Sequence, residues 1–232
     1  MFFDKKPLAV VWEGATDCHS HILPGVDDGV QEMETSLKIL SHYETLGIRE
    51  VWCTPHIMED VPNTTEGLKA RFAELKAAYN GPIQLNLAAE YMMDGLFLDR
   101  LEARDLLTHG HDDNALLVET SYYTPPMNLH DILNQIKSAG YYPILAHPER
   151  YLYMKMSDYP PLKEMGVLFQ LNVASLAGAY GEDAVQKAQK LLKAGYYNRI
   201  GSDIHRARQL SVWETKVRGK WVERVQAVRL NG

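Results

Sequence analysis

Histidine and carboxylate side chains recur along this chain directly after short apolar runs. The first run, ATDCHSH, ends with His19 and His21, and the last, RIGSDIH, ends with Asp203 and His205. Alternate residues of a strand point to the same side, so each of these pairs can bind one metal ion. Four runs between them end in single donors, which are His56, Glu90, Glu119 and His147. Nitrogen and oxygen donors of this kind suit manganese, iron or zinc.

The apolar runs have the length expected of strands. A run of about four to eight apolar residues between turn signals predicts a buried parallel strand. Helical patterns lie between the runs, and four of them stop at a glycine, as helices commonly do; these glycines are Gly47, Gly81, Gly140 and Gly195. Alternating strands and helices predict a parallel α/β barrel. Its strand ends meet at the carboxyl-terminal face, so the donors are expected to converge there.

Further residues near these strand ends extend the candidate site. Asp28 lies in the PGVDDG turn after His21, although alone it would be interpreted as a turn residue. Arg150 follows His147 by three positions, and its planar guanidinium suits phosphate. Asn172 ends the run VLFQLN and is expected only to satisfy backbone groups. So many donors exceed the needs of one ion, which indicates two or three metals, the usual device for stabilising attacking and leaving oxygens at phosphorus.

Composition limits the remaining possibilities. The 232 residues predict one domain spanning 1–232, and the net charge of −6 argues against nucleic-acid binding. The sequence shows no signal peptide and no long apolar run, so we expect a cytoplasmic protein without membrane insertion. Cys18 and Cys53 are expected to be buried apolar residues in a reducing compartment. Neither cysteine begins a C-x5-R loop, and no glycine-rich nucleotide-binding motif follows a strand.

Four other histidines are expected not to bind metal. His42 and His130 lie in helical patterns, where packing or surface roles are the usual ones. His109 and His111 have the same spacing as the first pair, but they lie in a polar loop before a strand. That loop closes the irregular region 91–114, which is predicted to form a wall of the site, as is the insertion 151–166. The segment after about residue 207 is predicted to form one amphipathic helix.

The motifs DCHSHILPGVDDG, TPH, AAE, LLVE, AHPER and GSDIH, taken in this order, resemble those of the PHP (polymerase and histidinol phosphatase) superfamily. They are most similar to the bacterial PHP-type protein-tyrosine phosphatases of capsule and exopolysaccharide loci. The resemblance covers about residues 15–208. It implies a distorted (β/α)7 barrel similar to a TIM barrel. It also implies two or three divalent ions, usually manganese, with iron, zinc or magnesium as alternatives.

The resemblance also implies how the ligands are shared among three ions. The first ion would be held by His19, His21, Glu90 and Asp203. The second would be held by Glu90, Glu119 and His147, with Glu90 bridging. The third would be held by Asp28, His56 and His205. Arg150 would bind phosphate together with a second arginine, for which Arg206 and Arg208 both qualify and Arg208 is preferred.

The function implied is hydrolysis of phosphotyrosine on protein, with a metal-activated hydroxide attacking phosphorus in line. The resemblance alone suggests a bacterial tyrosine kinase that regulates polysaccharide synthesis as the substrate. One alternative is a phosphoesterase for small molecules such as histidinol phosphate. Another is a non-catalytic metal-binding scaffold, against which the costly buried charges argue. An amidohydrolase-like C–N hydrolase would typically carry a lysine between ligand groups, and no strand end here offers one.

Overall fold

Strands and helices alternate along the chain as the apolar runs predict. The computed structural model describes residues 4–112 and 114–230, without the side chains of the last two. The strands are β1 (Lys5–Pro7), β2 (Thr16–Ser20), β3 (Glu50–Cys53), β4 (His56–Ile57), β5 (Gln84–Leu87), β6 (Glu90–Met92), β7 (Ala115–Glu119), β8 (Tyr142–Ala146), β9 (Leu168–Asn172), β10 (Arg199–Gly201) and β11 (Lys216–Arg218). The α-helices are α1 (Met33–Thr45), α2 (Thr65–Ala78), α3 (Gly95–Ala103), α4 (Leu129–Ser138), α5 (Tyr159–Glu164), α6 (Gly181–Ala194) and α7 (Gly219–Leu230).

Two parallel sheets close into a barrel. One has the order β2-β3-β5, and the other has the order β10-β9-β8-β7-β6-β4. Only two residues separate β3 from β4, and only two separate β5 from β6, so each pair counts as one interrupted barrel strand. The two sheets together therefore supply seven consecutive barrel strands. The ring closes where the Asp203 N–H donates to the His19 carbonyl (2.8 Å) and the His21 N–H donates to the Ile204 carbonyl (3.0 Å). The predicted α/β barrel of the (β/α)7 type is confirmed.

The side chains of β7 alternate between the large core outside the strands and the interior of the barrel. Leu116 and Val118 belong to the large core between the strands and the surrounding helices. Ala115 and Leu117 point the other way and form a small apolar cluster with residues of β8. Because faces alternate along a strand, Glu119 shares the inner face with Leu117 and points into the barrel mouth. The same alternation places the other strand-end donors inside.

The helix boundaries follow the expected capping signals. The Thr64 hydroxyl accepts the Gly67 N–H at 3.1 Å and caps α2. Gly195 ends α6 in a left-handed conformation (φ 71°) that a side chain would disfavour. Region 91–114 contains α3, as predicted, and region 151–166 contains α5. Within the first of these regions, Asp113 lies outside the described residues.

The prediction of a single helix after residue 207 is wrong. A 3-10 segment (Ala207–Glu214) is followed by β11, and α7 begins only at Gly219. The strand β11 forms because it pairs antiparallel with β1, from the opposite end of the chain. Such a long-range partner leaves no mark in the local pattern, which is amphipathic in either conformation. Residues 231–232 lie outside the described part of the chain. No helix among the described residues is long and apolar enough to cross a membrane.

Candidate metal centre

The predicted metal ligands meet at the carboxyl-terminal mouth of the barrel. They are His19 and His21 around the end of β2, Asp28 in the next turn, His56 in β4, Glu90 in β6, Glu119 in β7, His147 after β8, and Asp203 and His205 after β10. Eight of the nine fall into three groups in which all donor atoms lie within 4.8 Å of one another. The ninth, His147, lies beside Glu90. The structure therefore brings all nine together, and their binding of metal stays a prediction.

The first group contains the four residues assigned to the first ion. The Nε2 atoms of His19 and His21 lie 3.0 Å apart. Glu90 Oε2 lies 3.1 Å from His19 Nε2 and 3.2 Å from His21 Nε2. Asp203 Oδ1 lies 3.5 Å from each of the same two nitrogens. Two nitrogens and two carboxylate oxygens therefore surround one point, and all four residues are buried.

The other two groups share His56, which differs from the predicted allocation. His56 Nδ1 lies 3.2 Å from Glu119 Oε1 and 3.3 Å from Glu90 Oε2. Its other nitrogen, Nε2, lies 3.6 Å from Asp28 Oδ1, and His205 Nε2 lies 3.5 Å from the same oxygen. His147 Nε2 approaches Glu90 Oε1 at 3.0 Å, and is 3.9 Å from Glu119. His56 thus faces the sites predicted for both the second and the third ion.

These donors fit divalent cations. The Nδ1–H of His19 donates to Gln170 Oε1 (2.9 Å) and that of His21 donates to Asp27 Oδ2 (2.8 Å), so their Nε2 lone pairs face each other. Two lone pairs in such proximity need a cation or a proton between them. His56 Nδ1 is buried beside two carboxylates yet makes no hydrogen bond. The set contains no thiolate, which suits manganese, iron or zinc rather than a structural Cys-type zinc site.

Backbone geometry at the strand ends is also unusual. His147 and Asp203 have φ angles of 33° and 52°, in the left-handed region that residues other than glycine seldom adopt. Such strain is typical of functional sites, where the surroundings fix a side chain in position. Gly201 allows a close approach of β10 to β2, because a Cβ there would lie 2.5 Å from the Cβ of His19. The barrel seam and the metal site therefore depend on each other.

Asp27 and Gln170 are functional candidates that sequence reasoning missed. Besides binding His21, the Asp27 carboxylate accepts the backbone N–H of His56 (3.0 Å) and of Gly29 (2.9 Å). Gln170 accepts the His147 N–H (3.3 Å) as well as the His19 ring. Hydrogen bonds to the second nitrogen fix the tautomer and orientation of a ligating histidine. The doubled aspartate of PGVDDG could have indicated a role for Asp27, whereas no feature of the sequence distinguishes Gln170 from any other polar residue in a strand.

Arg150 is held at the edge of the first group. Its guanidinium forms an ion pair with Asp203 Oδ2 and lies between two aromatic rings, 4.5 Å from the centroid of Tyr122 and 4.0 Å from that of Tyr180. Asn172 donates to the same Asp203 oxygen (2.8 Å) while its own oxygen accepts the Ala174 N–H (3.0 Å). The prediction that Asn172 only satisfies backbone groups is therefore wrong, because its side chain also binds the Asp203 carboxylate.

Burial and charge act in opposite directions on the ionisable groups. Burial disfavours protonation of His19, but Glu90 and Asp203 outweigh it and raise the pKa of His19 to about 9. Burial likewise opposes protonation of His56, whose pKa Glu90 and Glu119 raise to about 10. The pKa of Glu90 is held well below its usual range, against burial, by the surrounding histidines. The cluster is therefore built to hold carboxylates ionised, and positive charge must accompany them.

A cavity of about 450 Å³ opens above the cluster. Six of the candidate ligands line it, and so does Arg150. Met58, Met92, Tyr122 and Tyr123 are also among its lining residues. Neither Arg206 nor Arg208 lines this cavity, and both are exposed in the segment after His205. The choice of the second phosphate-binding arginine stays a prediction.

The second His-x-His pair lies at the other end of the barrel. His109 is buried, its ring stacks on Trp52 at 4.3 Å, and its Nε2–H donates to the Cys18 carbonyl (2.9 Å). Burial lowers the pKa of His109 to about 4. His111 is exposed, and its Nε2 lies 2.8 Å from Glu50 Oε1. Among the described residues, neither belongs to a group of three potential ligands.

A closed parallel barrel with clustered nitrogen and oxygen donors at its carboxyl-terminal mouth defines a metal-dependent hydrolase of the TIM-barrel kind. Residues 15–214 match the family described as "Capsular polysaccharide synthesis, CpsB/CapC". This chain belongs to that family. The predicted relationship to bacterial PHP-type tyrosine phosphatases of capsule loci is thereby confirmed.

Individual relatives agree with the family match. The chain is 28% identical over 202 residues to the tyrosine-protein phosphatase CpsB of Streptococcus pneumoniae, covering 82% of both proteins. It is 26% identical over 197 residues to the tyrosine-protein phosphatase YwqE of Bacillus subtilis, covering 82% of this chain and 76% of the relative. A crystal structure from work on YwqE and CpsB, described as unique metal-dependent tyrosine phosphatases, shares the fold with a TM-score of 0.76 at 24% identity. It covers 94% of this chain and 88% of that one.

Proposed function

We propose that this protein is a metal-dependent protein-tyrosine phosphatase linked to capsular polysaccharide synthesis. The observation that carries the proposal is the placement of Arg150 beside three adjoining groups of histidine and carboxylate donors, in a chain of the CpsB/CapC family. Relatives with this family's sequence are named tyrosine-protein phosphatases. Arg150, together with the ions that the donor groups would hold, supplies positive charge around a phosphate, which is what phosphate-ester hydrolysis needs.

Each part of the site has a distinct role in this proposal. The nine predicted ligands would hold divalent ions, which when bound lower the pKa of water and act as Lewis acids toward phosphate oxygens. Arg150 presents its fork of donors to the phosphate, and the rings of Tyr122 and Tyr180 fix its orientation. Asp27 and Gln170 hold the His21 and His19 rings with Nε2 directed inward. A tyrosinate leaving group, with a pKa of about 10, needs no dedicated general acid.

The finer statements belong to the same proposal. We infer that manganese is the ion used, because a thiolate-free set of carboxylates and imidazoles suits it. The phosphoprotein is proposed to be a bacterial tyrosine kinase that regulates polysaccharide synthesis. A cytoplasmic location agrees with Cys18 and Cys53, which are both free and buried thiols. The matched region 15–214 spans most of the chain, which supports a single functional domain.

A substrate comparison tests the activity. Turnover is measured with Mn²⁺ on a phosphotyrosine peptide, a phosphoserine peptide and histidinol phosphate, each with a chelator control. We expect phosphate release from phosphotyrosine that the chelator abolishes. Preference for histidinol phosphate would contradict the protein substrate while keeping the metal chemistry. Inactivity on all substrates with every divalent ion would favour a non-catalytic scaffold.

The two arginine assignments are tested separately. Arg150→Ala should lower kcat/KM for phosphotyrosine by about a hundredfold, the loss typical of removing one preorganised donor to a charged transition state. Arg208→Ala and Arg206→Ala, compared under the same conditions, report which exposed arginine reaches the phosphate. No effect from either would remove the second arginine from the proposal.

A further inference from the structure

Exposed apolar side chains are concentrated on one side of the catalytic mouth. Among the described residues, the large apolar side chains that are exposed are Tyr123, Met127, Tyr142 and Leu152. Tyr123 (74% exposed) and Met127 (fully exposed) lie in segment 121–128, which follows β7. Leu152 (57% exposed) follows the next strand of the barrel, and its N–H donates to the Tyr122 carbonyl at 2.8 Å. We name Tyr123, Met127 and Leu152 the apolar rim.

The apolar rim is continuous with the catalytic cavity. Tyr123 lines the cavity, and so does its neighbour Tyr122. The Tyr122 ring in turn holds the guanidinium of Arg150 at 4.5 Å. An apolar surface therefore leads from the outside of the mouth to the group that would bind phosphate. A ligand with its phosphate at Arg150 and an apolar body would extend along this surface.

Hydrogen bonds anchor the start of the segment that carries Tyr123 and Met127, although these side chains are open to solvent. Thr120 Oγ1 lies 2.7 Å from the Tyr153 hydroxyl, and the Thr120 N–H donates to the Tyr151 hydroxyl at 3.3 Å. Pro125 and Pro126 further restrict the segment. Tyrosine and methionine are common where proteins bind partners, because tyrosine offers a large rigid contact area and methionine adapts its shape to the partner. Single exposed apolar residues are ordinary, but three on the two adjacent segments that follow β7 and β8 are not.

The lack of charged side chains in the segment after β7 indicates which kind of ligand the apolar rim suits. Residues 120–128, TSYYTPPMN, contain no charged side chain, so this wall offers nothing to pair with a strongly acidic or basic segment. Small polar phosphate esters would occupy the cavity without touching Met127 or Leu152, which do not line it. The chemistry of the rim suits an extended polypeptide with apolar residues beside its phosphorylated side chain.

We propose that the apolar rim binds the polypeptide that flanks the phosphotyrosine and so selects protein substrates. The phosphotyrosine ring contacts Tyr123, and neighbouring apolar residues of the substrate contact Met127 and Leu152. This inference rests on the proposed phosphatase function, which it makes more specific. The rim residues are positioning residues for the substrate and take no part in the chemistry.

The test compares a rim variant with a matched control. The variant carries Tyr123→Ser, Met127→Ser and Leu152→Ser. The control is Tyr142→Ser, which removes the exposed side chain (53%) at the opposite end of the barrel. With Mn²⁺-loaded proteins, kcat/KM is measured for a phosphotyrosine peptide with flanking leucines and for phenyl phosphate. For the rim variant we expect the ratio of the two values to fall about tenfold through the peptide KM. The control should match the wild type.

Direct binding provides a second readout. Fluorescence anisotropy measures the Kd of the same peptide carrying a non-hydrolysable phosphonate analogue, and the rim variant should weaken it about tenfold while the control does not. An unchanged ratio and an unchanged Kd would overturn the inference while leaving the phosphatase intact. Failure of the wild type to hydrolyse either aryl phosphate would instead overturn the proposed function. Loss of a wild-type dimer in the variant, with unchanged peptide KM, would identify a second copy of the chain as the occupant.

Discussion

Two histidine pairs with the same spacing lie at opposite ends of this barrel in contrasting surroundings. His19 and His21 end a strand, where carboxylates from other strands converge on their free nitrogens. His109 and His111 precede a strand, where one ring is buried on Trp52 and the other faces the single carboxylate of Glu50. The spacing is identical, so the His-x-His motif alone does not indicate a metal site. The end of the strand at which it lies decides what surrounds it.

The largest contrast is expected from removing one histidine of each pair. His21→Ala deletes a donor of the first group and should reduce turnover of phosphotyrosine by more than the roughly 10–100-fold that loss of an outer partner costs. His111→Ala removes an exposed side chain and should leave turnover and metal content at wild-type values. Steady-state kinetics and metal analysis check both, with circular dichroism to verify folding. Equal losses in the two variants would break the contrast.

Removal of metal should lower the free energy of unfolding, and this loss should depend on the ligands at the carboxyl-terminal mouth and not on the second histidine pair. An ion that binds only the folded state at about a hundred times its Kd adds about 2.7 kcal/mol to the free energy of unfolding. We therefore expect a chelator to lower the Tm and Mn²⁺ to restore it. His111→Ala should show the same shift as the wild type, whereas Glu90→Gln should show much less, because Glu90 belongs to two groups. A chelator-insensitive Tm in the wild type would contradict metal binding at the mouth.

The carboxylate partners of the two pairs provide a finer comparison. Asp27→Asn weakens the acceptor that orients His21 and should weaken metal affinity about 10–100-fold. Glu50→Gln makes the corresponding change beside His111 and should not alter metal affinity. Titration of the metal-free proteins with Mn²⁺ by calorimetry measures both. An unaltered affinity in Asp27→Asn would show that the hydrogen bond orients His21 without tuning its binding.

The last comparison concerns pH at the second pair. Burial lowers the pKa of His109 to about 4, whereas an unfolded histidine titrates near 6.5. As pH falls from about 6.5 to about 4, the unfolded chain takes up a proton that folded His109 does not, so stability is lost, by up to about 3 kcal/mol. His109→Gln should remove this part of the pH dependence. Urea unfolding of both metal-free proteins across this range measures the difference, and parallel curves would rule out His109 as the source.

The barrel and the nine candidate ligands could be predicted because they depend on local signals. Eight of the nine follow an apolar run, Asp28 lies in the turn after the first run, and strand ends converge in any parallel barrel. The outer partners could not be predicted with equal success, because Gln170 reaches His19 from a strand far along the chain and resembles any polar residue in a strand. The same holds for β11, which exists through its pairing with β1. His56 faces two predicted ion sites because of the way its ring is rotated, and the spacing of residues in the sequence carries no information about that rotation.

The barrel seam has a consequence for how the molecule is made. His19 and His21 lie around the end of the first barrel strand to be synthesised, whereas Asp203, which completes their group and whose N–H joins the seam, is among the last barrel residues to leave the ribosome. A growing chain therefore exposes half of this group until β10 and the residues after it have been synthesised. Closing contacts between residues so distant in sequence is intrinsically slow. An ion held by the first group can therefore bind only after β10 has formed, and it links the first and last strands of the barrel.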